Sequence, residues 1–414
     1  MPERDETYGA GLAELMNPEV ARNPQPIYEM LHASTPVFRL DGVGVIVASR
    51  AGVDEVLRNP DVYSSNTSAH DLKAKRPLIP LQIDPPDQRK YRKLLDPLFA
   101  PQRMKALENS TSQLVNELID GFIADSEIDF SRQFSSPFPS QVFLTLFGLP
   151  MDDLPVFLKM KDGVIRPDQV VGHEFGHPET ESHQQQTADS IYAYFERVID
   201  ERAGEAEGED LLSHFLHAEV DGDRLTHEEI LDICFLFLIA GLDTVTASLD
   251  CFFGYLVDHA DARRKIVDDP DAVPAMVEEL LRWETPVMGA ARVATRAAEV
   301  EGFAISEGEQ VMTLLGAANV DGAEFPNAGE LVWDRETNRH LAFGGGVHRC
   351  LGSHLARLEL RVALREWHRR IPDYRLKPDV ELNYTAGIRT LDSFPMLLSA
   401  DPELSAGLED LVED

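Results

Sequence analysis

The sequence predicts a mainly α fold with a minor β part, built as a single domain over residues 1–414. Three observations carry this reading. Apolar residues recur at helical spacing through most of the stretch from 87 to about 264. Strand-like patterning is confined to short pieces at 43–47, 298–305 and 310–315. No Pro/Gly/Ser-rich linker, low-complexity run or repeat divides the chain.

In chain order, the first sixty or so residues mix short helices with the 43–47 strand, and an irregular connection covers about 61–83. Pro85-Pro86 halts that connection, and Asp87 suits the first turn of the helix that follows. The helical pattern breaks near 167–178 and at the acidic, glycine-bearing stretch 203–210. A long apolar helix is expected from 227 to about 259. It opens on Thr226-His227-Glu228-Glu229, the Ser/Thr-x-x-Glu form of a capping box, and would span roughly 50 Å. Its uninterrupted apolar run, 233–242, is too short for a bilayer, and Asp232, Asp243 and Asp250 punctuate it. A buried central helix is therefore expected. The two later strand pieces precede a glycine-rich loop, and an amphipathic helix then runs to about Arg370. The tail 401–414 carries acidic residues and no basic ones, and reads as a solvated, frayed end.

The chain holds 72 acidic and 38 basic residues, a formal charge of −34, which disfavours nucleic acid and anionic membranes as partners. Its three cysteines, odd in number and far apart, argue against a disulfide framework and fit a reducing compartment. The start, Met1-Pro2-Glu3-Arg4-Asp5-Glu6, is charged and lacks the apolar stretch of a signal peptide, so a cytoplasmic protein is expected. Cys234 and Cys251 lie in the apolar helix and read as small buried hydrophobes.

Cys350 is different. It ends the run Phe343-Gly344-Gly345-Gly346-Val347-His348-Arg349-Cys350-Leu351-Gly352. Glycines permit positive φ and a close backbone approach around a sulfur ligand. A helix starting just beyond supplies unpaired N–H groups that can hydrogen-bond and stabilise a thiolate. A zinc site combining Cys350 with His340 and His348 is disfavoured, because no Cys-x-x-Cys or His-Glu-x-x-His core is present. His173, His177 and His183 fall in an expected surface loop and receive no role.

The pattern Phe-x-x-Gly-x-His-Arg-Cys-x-Gly resembles the haem-binding loop of the cytochrome P-450 family, the haem-thiolate monooxygenases. The resemblance runs from about 17 to 398. It implies haem b as cofactor with Cys350 as the iron ligand, and Phe343, Gly344, His348 and Gly352 as parts of the cofactor loop. The absence of an amino-terminal anchor helix resembles the soluble bacterial members.

Three further elements fit. Ala240-Gly241-Leu242-Asp243-Thr244 places an acid and a hydroxyl inside an apolar helix, which is costly unless they are satisfied or used. Thr244 can bond back to the Ala240 carbonyl. On the helix alone, Asp243 either pairs with a distant Arg or serves chemistry. The segment resembles the family's oxygen-activation motif. That implies a hydrogen bond from Thr244 to dioxygen and a place for Asp243 in a proton relay. Glu279-Leu280-Leu281-Arg282 is an i, i+3 pair that resembles the family's Glu-x-x-Arg, with Arg335 as its third, structural member. Finally, Asp84-Pro85-Pro86-Asp87-Gln88-Arg89-Lys90-Tyr91-Arg92-Lys93 resembles the family's haem-propionate helix. Gln88 stands where His is usual, and Arg92, Arg292 and His348 are the other propionate contacts implied.

By position, Leu236, Ile239, Ala240, Val287, Met288 and Ile388 are expected to face the substrate. Their apolar character suggests a compact terpenoid-like or branched-lipid molecule. A substrate carboxylate could instead be met by Arg76 or Arg389. The resemblance implies a monomer that uses O2 and receives electrons from an iron–sulfur ferredoxin with an NAD(P)H-dependent reductase. Arg89, Lys93, Arg357 and Arg361 are the expected docking cations. A peroxide-driven oxygenase and a haem-thiolate sensor are the alternatives. The Asp243-Thr244 pair weighs against the first, and the lack of a signalling domain against the second.

Overall fold

The computed structural model describes residues 21–67, 72–202, 204, 208–220, 222–385 and 387–398. The expectations for 1–6 and for the tail 401–414 lie outside the described residues, as does part of 203–210.

The helices in chain order are α1 (Gln25–Ser34), α2 (Arg50–Arg58), α3 (Asp87–Leu95), α4 (Pro101–Ala106), α5 (Glu108–Asp120), α6 (Pro137–Phe147), α7 (Leu154–Ile165), α8 (Pro167–Val171), α9 (Pro178–Glu201), α10 (Leu211–His217), α11 (His227–Leu256), α12 (Ala260–Asp268), α13 (Val273–Glu284), α14 (Leu315–Asn319) and α15 (Ser353–Arg370). The strands are β1 (Val37–Leu40), β2 (Gly44–Val47), β3 (Tyr63–Ser64), β4 (Glu127–Asp129), β5 (Glu219–Val220), β6 (Asp223–Arg224), β7 (Gly289–Ala294), β8 (Ala298–Val300), β9 (Phe303–Ile305), β10 (Gln310–Leu314), β11 (Tyr374–Leu376) and β12 (Pro395–Leu398). The fold is mainly α with small sheets, as expected.

The main sheet has the order β1-β2-β10-β7-β3, in which β2 and β10 are parallel and place Val45 beside Val311. The expected strand at 298–305 is a hairpin. Glu301 and Gly302 both take positive φ, at 50° and 81°, which reverses the chain between β8 and β9. A second sheet, β11-β12-β4, joins the carboxy-terminal segment to the end of α5.

The capping box of α11 forms as the sequence suggests. Glu229 N–H donates to Thr226 Oγ1 at 3.1 Å, and Thr226 N–H donates to the Glu229 carboxylate at 2.7 Å. α11 is apolar and long enough to cross a membrane by composition, yet most of it is buried inside the fold. Its first half packs with α6, α7, α9 and α10 through Phe143, Phe147, Phe195 and Phe215. Its second half joins α5, α13 and α15 around the ring cluster Phe130, Phe134, Phe253 and Trp367. The acids within it are satisfied. Asp232 meets Arg76 at 2.7 Å and the Tyr192 hydroxyl at 3.1 Å. Asp250 accepts from Ser131, Ser135, Thr390 and the Leu391 N–H.

Candidate functional site

The cysteine loop is closed by its own backbone, with Cys350 N–H donating to the Phe343 carbonyl at 2.8 Å. Gly344 and Gly346 both take φ +65°, the left-handed conformation that favours glycine, whereas Gly345 is extended. A Cβ on Gly346 would collide with the Leu57 carbonyl, so glycine there lets the loop press against α2. Two side chains of α3 brace the loop: Arg92 Nη1 donates to the Arg349 carbonyl at 2.8 Å, and Gln88 Nε2 to the Val347 carbonyl at 2.7 Å.

Cys350 is both uncovered and surrounded. The residue is exposed, yet enough protein lies around it that burial pushes its thiol pKa up. The Gly352 N–H and the cations of Arg92, Arg349 and Arg357 act in the opposite direction and favour thiolate. α15 begins at Ser353, so Gly352 is the residue at the turn before the helix. Cys234 and Cys251 are buried, and burial raises both thiols far above neutrality.

Beneath the loop, Glu279 on α13 collects donors from Arg282 Nε and Nη2, Arg335 Nε and Nη2, Asn338 Nδ2 and the Val332 N–H. Arg282 also donates to the carbonyls of Asn319, Ala328 and Glu330. This cluster ties α13 to the segment leading into the cysteine loop. The neighbouring Glu278 does the same for α15, bonding Arg357 at 2.7 and 2.8 Å and His340 at 3.1 Å. Burial alone would raise the Glu278 pKa, but those donors hold it at about 2.

Arg357 is therefore no free docking cation. Its guanidinium is paired and lies 4.4 Å over the Phe343 ring, because this face of α15 packs onto α13. Arg361 is half-buried, and its Nε is covered without a hydrogen-bond partner. Arg89 and Lys93 on α3 are exposed, as is Arg349 beside the cysteine.

Arg292 is the residue most suited to a cofactor carboxylate. It is buried and donates to the Ala291 carbonyl, and burial pushes its pKa down while the nearby Asp84 acts in the other direction. His348 is hydrogen-bonded through Nε2 to Ser65 Oγ at 3.0 Å, and burial, with Arg292 next, lowers its pKa to about 4. At neutral pH it can present a neutral N–H. Gln88 is corrected: its buried amide is directed at Val347 and braces the loop rather than a propionate.

On α11 the expected back-bond is present, Thr244 Oγ1 to the Ala240 carbonyl at 2.8 Å. Ala240 is exposed and Thr244 half-buried on a helix whose neighbouring turns are buried, which marks an open space against its middle. Of the two readings of Asp243, the geometry shows the ion pair. The carboxylate is wholly buried and accepts from Arg166 Nη1 and Nη2 at 3.0 and 2.5 Å, with Lys161 Nζ at 3.5 Å. Lys161 lies among the mixed polar and apolar residues Lys159-Met160-Lys161-Asp162, so its burial against Asp243 is set by tertiary packing.

Leu236 and Ile239 are almost covered, whereas Val287 and Ile388 pair across an isolated β-bridge and are half-buried. Met288 is corrected. Alternation along the extended chain turns it into the cluster of Tyr28, Leu31, Phe38 and Ile46. Arg389 is also corrected: it is buried, pairs with Glu284 at 2.8 Å, and donates to the carbonyls of Ala21, Arg22 and Glu284. Arg76 is committed to Asp232 and lies over the Tyr192 ring. Among the described residues, one grouping of potential metal-ligating side chains is found, His173, His177 and Glu179.

The family model described as "Cytochrome P450" matches residues 19–370. A steroid C26-monooxygenase of Mycobacterium tuberculosis is 33% identical over 397 residues, covering 93% of this chain and 96% of the relative. A mycinamicin IV hydroxylase/epoxidase of Micromonospora griseorubida is 34% identical over 312 residues, covering 74% and 76%. A Bacillus megaterium protein crystallised with testosterone superposes with a TM-score of 0.82 at 28% identity, covering 93% of this chain and all of that one.

Proposed function

The chain belongs to the cytochrome P450 family of haem b monooxygenases, and on that premise we propose that it inserts one oxygen atom from O2 into a terpenoid-like or branched-lipid substrate. The single observation that carries the site is Cys350: an exposed cysteine in a loop locked by its own backbone, with the cations of Arg92, Arg349 and Arg357 around it. When bound, haem b supplies the oxygen-activating redox chemistry. Cys350 would hold its iron, and Arg292, Arg92 and the neutral His348 would meet its propionates.

The remaining work falls to α11 and the pocket. Thr244 would supply a hydroxyl at the open turn beside Ala240; that hydroxyl donates to the Ala240 carbonyl at 2.8 Å and would have to turn from this bond to donate toward the pocket. Asp243 is committed to its ion pair with Arg166, so it would pass a proton toward Thr244 only after that pair loosens. Ala240, Val287 and Ile388, with the edges of Leu236 and Ile239, present hydrocarbon and exclude water. The steroid named for the M. tuberculosis relative, and the testosterone bound by the B. megaterium protein, support a polycyclic terpenoid-class substrate. A carboxylate anchor is not supported, because Arg76 and Arg389 are both already paired.

A separate ferredoxin, reduced from NAD(P)H, is the proposed electron donor to a cytoplasmic monomer. Arg89, Lys93 and Arg349 are the exposed cations at the cysteine loop and its bracing helix, and they favour an acidic partner despite the chain's net charge. A titration of steroids, other terpenoids and branched fatty acids, read by the haem spin-state shift, tests the substrate class. A shift with steroids or terpenoids at micromolar concentration is expected. A response confined to macrolides or unbranched fatty acids would contradict it.

A further inference from the structure

The turn between α8 and α9, remote in sequence from the cysteine loop, brings two imidazoles and a carboxylate together. The rings of His173 and His177 are stacked, with centroids 4.1 Å apart and planes inclined by 18°. Glu179 lies against them, its Oε2 at 3.3 Å from His173 Nε2. One potential ligand atom from each of the three falls within 4.8 Å of the others. We infer that this turn binds a divalent transition-metal cation of the zinc class, ligated by His173, His177 and Glu179.

The donor set selects the metal. Imidazole with carboxylate suits zinc and its neighbours in the first transition row, whereas calcium and magnesium take oxygen ligands. Three protein ligands leave the fourth tetrahedral position to water. The backbone holds the donors in place. Gly172 and Gly176 take φ of +82° and +87°, doubling the chain back so that residues four apart face each other. Thr180 Oγ1 donates to the His173 carbonyl at 3.0 Å, and His177 N–H to the Glu174 carbonyl at 3.2 Å. Pro178 then starts α9.

Charge points the same way. Between 167 and 183 the chain carries Asp168, Glu174, Glu179 and Glu181 and no Lys or Arg, although Lys73 reaches in to pair with Glu181. The amino-terminal end of α9 opposes a cation by its dipole, and the acids of its first turn offset this. His177 Nδ1 accepts the Glu179 N–H at 3.3 Å, a long bond that coordination could replace. His173 and Glu179 are 47% and 70% exposed, so affinity should be modest and the fold should tolerate losing either. Occupancy would tether the end of α8 to the start of α9. His183 is the internal control, since its Nε2 lies against Gly163 of α7.

The test uses the haem-loaded full chain, stripped of loose metal with chelator and titrated with zinc chloride by calorimetry. One zinc per chain in the micromolar range is expected. The affinity should fall about tenfold or more in His173→Ala and in His177→Ala, and stay unchanged in His183→Ala. Copper(II) at the same site should show magnetic coupling to two nitrogens in its electron paramagnetic resonance spectrum. An unaltered haem absorption spectrum shows that each variant is folded. No binding, or equal binding by the His173/His177 double variant, would overturn the inference, as would a loss in His183→Ala matching that in the other two.

Discussion

Arg166 donates both terminal amino groups of its guanidinium to the two carboxylate oxygens of Asp243, at 3.0 and 2.5 Å, with Lys161 completing the contact at 3.5 Å. The pair crosses from the residue that ends α7 to the middle of α11, and its acid is inaccessible to solvent. Burial disfavours the Arg166 cation, and Asp243 together with Asp162, Asp392 and Asp250 outweighs that penalty.

Arg166→Ala should leave Asp243 short of a partner and cost about 3 kcal/mol of stability, the scale of an uncompensated buried charge. Arg166→Lys should recover part of this. Urea unfolding of the three proteins measures the difference. Equal midpoints would show the pair to be energetically neutral.

Thr244→Ala should leave substrate affinity close to the parent's and divert reducing equivalents to hydrogen peroxide, because the open turn loses its hydroxyl. The measurement is the ratio of product to NAD(P)H consumed. An unchanged ratio would remove Thr244 from the proton route.

His368 gives a pH dependence away from the cofactor loop. It is buried in α15, bonded to the Leu364 carbonyl and the Tyr374 hydroxyl, and burial lowers its pKa from 6.5 to about 4. A lowered folded-state value means that the unfolded chain binds the proton more readily. The contribution of His368 is therefore complete above about pH 6.5 and lost as pH falls through 4. Across that window it amounts to something on the order of 3 kcal/mol. His368→Gln should flatten the fall in unfolding free energy between those limits. An unchanged slope would assign the acid sensitivity to other groups.

Arg89→Glu and Arg349→Glu should weaken ferredoxin-supported turnover and its salt dependence while sparing haem content. Arg357→Glu should instead lower haem retention, because it places a second acid against Glu278. Reversed outcomes would move the docking face to α15.

Much of this was legible in the sequence. The Thr226 capping box, the Thr244 back-bond and the Glu279–Arg282 pair formed as expected because each depends on residues within four positions on one helix. Cys350 was legible because glycines and a ring precede it in one short run. The misreadings were of partners chosen by tertiary packing. Arg357 and Arg389 looked available, yet each is held by an acid brought in from α13, Glu278 and Glu284. Met288 was misplaced because a one-residue step along extended chain exchanges the two faces. β7 was missed because Gly289-Ala290-Ala291 offers little apolar alternation to read.

The most direct test of the account is the absorption of the reduced, carbon monoxide-bound protein. The parent, Cys234→Ala and Cys251→Ala should all show the red-shifted band of a thiolate-ligated haem, because both of those sulfurs are buried in the core. Cys350→His should lose that band. Its survival in Cys350→His, or its loss in either of the other two, would contradict the assignment of Cys350 as the iron ligand.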